Sequence, residues 1–293
     1  MKSFYLSRPS RSLLKEGLTH MHFRRVIVVD IASLGLGAMP DAKRYHSEKA
    51  NTLGHLDEQY LLNVPTLQRL GLGNIRRHHQ FLTIPPAKTP LGFYGKLKVR
   101  THSGTKDASL REMFDFNEPL RTLSVFNHLS RCHYRTIIIS RFISYLADQD
   151  CCLQIQSAND NTGFRKLINN LKQMDTGLIY LQVPELQWVA TQKDPQGYAA
   201  RLSIVDKQIE LLMSTLTSTD LLIITSSFAN DPSYPERQIT REYLPLIMYT
   251  PEVSKGHYVG TRKSVGDIAA TLIDNFKEPG TEIPLSNSLL RSM

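Results

Sequence analysis

The run Val26-Ile27-Val28-Val29-Asp30-Ile31-Ala32 constrains the fold more than any other stretch of this chain. A continuous β-branched run ended by glycines suits a strand buried on both faces of a parallel sheet. Gly35 and Gly37 follow it, and they let the backbone turn with positive φ just past the strand end. Ligands in open α/β sheets sit outside the carboxyl ends of the strands. A site is therefore expected on the loop from Ala32 to Asp41.

The second half of the chain alternates strand and helix patterns. Strands are expected at Arg135–Ile139, Cys151–Ile155, Leu178–Val183, Asp220–Thr225 and Pro245–Tyr249. Helices are expected over Phe142–Ala147, over Phe164–Met174 with Thr162 as cap, from Pro195 to Leu216, and over Val265–Phe276. Between Ile75 and Ser130 the patterning is weak. Short strands near Phe81–Ile84 and Gly95–Val99 and a helix over Glu118–Leu129 are expected there. The alternation predicts an α/β fold, a mainly parallel sheet with helices on both faces. Residues 1–24 read as an N-terminal extension: a disordered arm, a transit-like segment, or residues before a true start at Met21. Residues 25–293 read as one domain.

No apolar run approaches the ~20 residues of a membrane span. Cys132, Cys151 and Cys152 fit neither a zinc spacing nor a disulfide framework. The adjacent pair Cys151-Cys152 is expected as buried strand thiols, which suits a reducing cytoplasm. The net charge is +8, with basic clusters at Arg76-Arg77-His78-His79 and at Lys96, Lys98 and Arg100. No nucleic-acid motif surrounds either cluster. Solvated surface is the expected role, with an anionic small molecule or nucleic acid as alternatives.

Several strings are more specific than any periodicity. These are Ser33-Leu34-Gly35-Leu36-Gly37-Ala38-Met39-Pro40-Asp41-Ala42, then Asn51-Thr52-Leu53-Gly54-His55, then Pro65 to Gly73. Further on come Gly197-Tyr198-Ala199-Ala200, Leu222-Ile223-Ile224-Thr225 with Asp231-Pro232, and Thr240-Arg241-Glu242-Tyr243-Leu244-Pro245. Gly260-Thr261-Arg262 and Asp267 to Leu272 close the series. In this order they resemble the phosphopentomutase family, metal-dependent members of the alkaline phosphatase superfamily. The resemblance covers Arg25–Leu91 and Thr136–Phe276. It implies an alkaline phosphatase-like core. It also implies a hydroxyl nucleophile and two divalent metals of the Mn type, held by Asp and His.

Carried over position by position, that chemistry is missing. The place of the family's first metal Asp is held by Ala32, with Asp30 two residues deeper on the same face. The nucleophilic Thr aligns with Ala108, beside Ser109, a displaced candidate nucleophile without a base. Leu186 and Thr191 take the places of a metal Asp and His, Ser227 and Phe228 those of another Asp–His pair, and Ile239 that of a last His. No metal cofactor is expected. The cap domain that the family inserts after its nucleophile is also absent, since only about Met113 to Tyr134 occupies that place. Ala32, Leu186, Phe228 and Ile239 are expected to fill the vacated centre, with the single tryptophan, Trp188, packed over it.

What remains is a candidate residual pocket of Asp30, Thr52, His55, Asp231 and Arg241. His55 is expected to bond backbone, Asp231 to shape a turn before Pro232, and Arg241 to pair with a nearby acid; His46, His78 and His79 read as surface residues. Three readings of function follow. The first is a catalytically inactive binding or scaffolding subunit with a protein partner. The second is a phosphoryl or sugar-phosphate hydrolase or isomerase using Asp30, His55, Asp107 or Ser109. The third is an anion or nucleic-acid binder.

Overall fold

The computed structural model describes residues 22–76, 80–102, 105–114, 125–141, 151–235, 239–277 and 287–293, with the backbone alone at Lys106 and Asp107. The expected first strand, β1 (Arg25–Ile31), lies at the centre of an eight-stranded sheet. Its neighbours, both parallel, are β5 (Gly177–Val183) and β6 (Asp220–Thr225). Outside β5 lie β3 (Arg135–Ser140) and the edge strand β4 (Leu153–Gln156). Beyond β6 come β7 (Leu244–Tyr249), β2 (Phe93–Leu97) and β8 (Tyr258–Arg262). Only β7 runs against the rest, pairing antiparallel with both β6 and β2.

Alternation along β1 builds two cores. Ile27, Val29 and Ile31 face α1 (Thr52–Gln59), α2 (Pro65–Arg69), α5 (Asp160–Leu171), α6 (Glu185–Thr191) and α7 (Pro195–Met213). Val26 and Val28 face α3 (Lys106–Phe114), α4 (Val125–Arg131) and α8 (Asp267–Phe276). A continuous apolar run is what a strand covered on both faces needs. At the start of β1, Arg25 closes a two-point ion pair on Asp220, both contacts 2.6 Å, and donates to the carbonyls of Leu171 and Met174.

Several local expectations need correction. Phe81–Ile84 is loop, and the second strand begins at Phe93. Asn159, not Thr162, caps α5: its side chain accepts the Thr162 N–H. The helix from Pro195 ends at Met213, with Asp194 accepting the Gly197 N–H at its start. Cys151 and Cys152 precede β4 and are partly buried. Of the helix expected over Glu118–Leu129, the described part is α4, and Phe142–Ala147 lies outside the described residues. Among the described residues no helix is long and apolar enough to cross a membrane.

One pair of helix ends makes stability depend on pH. The Asp160 N–H donates to Glu185 Oε2 (3.1 Å), and the Glu185 N–H donates to Asp160 Oδ1 (3.3 Å). Burial, and then the nearby Glu185 charge, push Asp160 from 3.8 up to about 7. A carboxyl whose pKa is raised on folding adds stability below its unfolded pKa, and that stability is lost as pH rises through the folded value. Unfolding free energy should therefore fall by about 2–4 kcal/mol between pH 4 and pH 7 on account of this group. Asp160→Asn should flatten that part of the profile in urea titrations. An unchanged slope in the variant would locate the dependence elsewhere.

Candidate functional site

The loop after β1 is held in place by the segment leading into β7. The Ser33 N–H donates to the Phe228 carbonyl (3.0 Å) and its carbonyl accepts the Asn230 N–H, with Ser33 itself at φ 89°. Leu36 and Met39 donate to the carbonyls of Tyr243 and Arg241, and Tyr243 returns a bond to Gly37. Gly37 has φ 99°, and a side chain on Gly35 would collide with the Glu242 carboxylate. Both glycines are required by the turn, for different reasons.

Glu242 is the hub of this arrangement. It is fully buried, and four donors converge on it: Thr52 Oγ1 (2.7 Å), Thr240 Oγ1 (2.6 Å) and the N–H groups of Gly37 and Thr52 (both 2.9 Å). Burial pushes its pKa up, against the pull of these donors. Asp231, also buried, accepts the N–H groups of Asn51 and Ser233, both at 2.9 Å. Its Oδ2 meets His55 Nδ1 at 2.6 Å. His55 thus bonds a carboxylate rather than backbone, a correction to the expectation above. Asp231 also shapes the turn at Pro232, through Ser233.

Of the candidate residual pocket, Thr52, His55 and Asp231 join one network through the Asn51–Thr52 turn. Arg241 points elsewhere. It pairs with Asp41 (2.9 Å), donates to the carbonyls of Val99 and Thr101, and lies over the Tyr45 ring. Asp30 sits within the sheet, accepting from Tyr180 Oη (2.7 Å) and the Ser227 N–H (2.7 Å). Burial raises its pKa. Glu242, Arg76, Lys96 and Tyr243 join the site without having stood out as pocket residues in the sequence, whereas Asn51 opens the Asn51–His55 string that supplied Thr52 and His55. An acid two residues ahead of the apolar strand Leu244–Tyr249 was the available signal for Glu242.

The positions aligned with the family's metal ligands do not form a donor set. Ala32 and Leu186 are fully buried, and Leu186 packs into the first core. Thr191 turns its hydroxyl back to the Gln187 carbonyl (2.9 Å). Ser109, Phe228, Ile239 and Arg241 are among the residues that line a cavity of about 30 Å³. That is room for a water or two, not for two cations and a phosphate. The Ser109 hydroxyl, close to Ala108, is given to the Ser227 carbonyl, and the Ser227 hydroxyl is buried without a protein partner. Among the described residues no three His, Cys, Asp or Glu side chains gather as a metal site. Carboxylate and imidazole donors are what Mn-type ions require, and alanine, leucine, phenylalanine and isoleucine supply none. The residues present do not fit a dinuclear centre. Trp188 does not cover this place: it is 64% exposed on the outer side of α6.

A larger cavity, about 680 Å³, opens beside α1. His55, Arg76, Lys96, Tyr243 and Tyr258 line it. The Arg76 Nη2 donates to the Leu36 carbonyl (3.2 Å) and to Asn51 Oδ1, and its guanidinium stacks over Phe81. Arg77, His78 and His79 lie outside the described residues.

A central parallel sheet flanked by helices, with loops gathered at its carboxyl end, defines an alkaline phosphatase-like α/β protein. Residues 150–279 match the family model of the Metalloenzyme superfamily. Among solved structures, a Pyrococcus horikoshii protein superposes with a TM-score of 0.55 at 10% identity, over 90% of this chain and 99% of that one. A Vibrio parahaemolyticus protein of the alkaline phosphatase superfamily gives 0.54 at 8% identity, over 88% and 67%. More particularly, the chain is phosphopentomutase-like. It is 22% identical to the phosphopentomutase of Caldanaerobacter subterraneus subsp. tengcongensis, over 86% of this chain and 94% of the relative. With that of Alkaliphilus oremlandii it shares 24%, over 88% and 96%. The first alignment runs over 373 positions, more than the 293 residues here, so the relative carries residues without a counterpart in this chain.

Proposed function

We propose that this chain is a non-catalytic relative of the phosphopentomutases, acting in the cytoplasm as a binding or scaffolding subunit. The observation that carries this reading is the replacement of the family's ligand positions by Ala32, Leu186, Thr191, Ser227, Phe228 and Ile239, of which Phe228 and Ile239 line a cavity of only about 30 Å³. Arg241 lines that cavity and the Glu242 carboxylate there is already engaged by four donors, so a dehydrated cation would find no free ligand and metal entry is strongly unfavourable. Purified protein should hold no stoichiometric manganese or zinc, and EDTA should leave its melting temperature unchanged. A mutase assay with a pentose phosphate and added Mn²⁺ should give no turnover. Two equivalents of tightly held metal, or turnover abolished by chelation, would overturn the reading.

A second reading has its own observation. Asp231 holds Nδ1 of His55, whose side chain is 27% exposed at the edge of the larger cavity. An imidazole oriented by a carboxylate can act as a general base through its other nitrogen. Hydrolysis of a phosphate ester that falls to background in His55→Ala would establish an altered enzyme. Equal, negligible rates in both proteins would remove this reading.

A further inference from the structure

Two cations share the larger cavity without a carboxylate in contact with either. Arg76 and Lys96 come from distant parts of the chain, the end of the Asn51–Ile75 region and strand β2. Both are partly buried, and among the described residues neither forms an ion pair. Each rests on an aromatic ring instead, Arg76 over Phe81 and Lys96 over Tyr243, both at 4.7 Å. Burial lowers the pKa of both groups, and the Arg76 charge lowers that of Lys96 further. The Glu242, Asp57 and Glu58 carboxylates attract the Arg76 charge from a distance, but no carboxylate does so for Lys96, and a partly dehydrated cation beside another is costly unless an anion joins it.

The guanidinium is also oriented for a ligand. Its Nη2 is spent on Leu36 and Asn51, which fixes the plane of the group. The Nε and Nη1 donors have no acceptor among the described residues, and each is left to give a single charge-assisted hydrogen bond to an anion. Tyr243 and Tyr258 supply ring surface on the same wall. A volume of 680 Å³ lies within the range of small-ligand sites. Glu48 and Glu58, exposed at the rim, repel a long polyanion but leave room for a compact one.

We propose that this cavity binds a small organic phosphate, its phosphate between Arg76 and Lys96 and its ring against the tyrosines. The proposal gives the binding reading above a ligand class, and its test is separate, because metal content and mutase turnover do not enter it. The probes are phenyl phosphate, inorganic phosphate and phenol, titrated by calorimetry at low ionic strength. Phenyl phosphate should bind one per chain, more tightly than inorganic phosphate, and phenol should not bind. Lys96→Met should weaken phenyl phosphate about tenfold or more, as loss of a charged contact does. It should keep the melting temperature, because the Lys96 side chain makes no hydrogen bond to the protein among the described residues. Absence of saturable binding at millimolar phenyl phosphate, equal binding by Lys96→Met, or equal binding of phenol would overturn the proposal. So would a short oligonucleotide that binds more tightly than phenyl phosphate.

Discussion

Glu242→Ala should destabilise this protein by about 3–5 kcal/mol, the range for breaking a buried charged network. The reason is the set of donors left behind. Thr52 Oγ1, Thr240 Oγ1 and two backbone N–H groups all end on this one carboxylate. Thr52, Thr240 and Glu242 are all buried, so three of the four donors lie away from bulk water, and only the Gly37 N–H is partly exposed. Each orphaned donor costs about 1–3 kcal/mol before relaxation. For a chain of this size the shift in melting temperature should be on the order of 10 °C. Glu242→Gln keeps the shape but brings an NH₂ group towards donors, so an intermediate loss is expected. A loss below about 1 kcal/mol for the alanine variant would mean that the loop is held mainly by its backbone bonds to Arg241 and Tyr243.

The loop itself is legible in the sequence because two glycines spaced closely behind a buried strand mark a sharp turn. Strand parity is equally informative: residues 30 and 32 share a face, with Asp30 deeper than Ala32. Parity does not say that Asp30 is saturated by Tyr180 and Ser227, because those contacts come from β5 and the turn after β6. For Trp188, size suggests burial but helical phase decides against it. Leu186, Val189 and Ala190 mark the inward face of α6, and Trp188 falls between them on the outside. The 3.6-residue period carries that information. Arg76 and Lys96 stand in separate basic clusters. Nothing local shows that the two share a cavity; the strand order, which sets β2 between β7 and β8, does.

The largest effect should come from giving back a ligand of the family. Leu186→Asp places a carboxylate where a fully buried leucine packs against the first core. The lost leucine burial is worth roughly 1.5–3 kcal/mol. Dehydrating the new carboxylate adds several more, lessened only if it takes up a proton. The sum, roughly 5 kcal/mol, approaches the whole stability of an ordinary domain. In a metal-dependent relative the same carboxylate would face divalent cations that offset its dehydration. Here the other aligned places remain Ala32, Ser227, Phe228 and Ile239, so no such offset exists. Leu186→Asp should therefore be mostly unfolded, or should melt far below the parent, and millimolar Mn²⁺ should not raise its melting temperature. A ligand that binds only the folded state must stabilise it in proportion to its occupancy. Recovery of the parent's melting temperature on adding Mn²⁺ would mean that the remaining groups still complete a metal centre, and that the alignment of these positions is wrong.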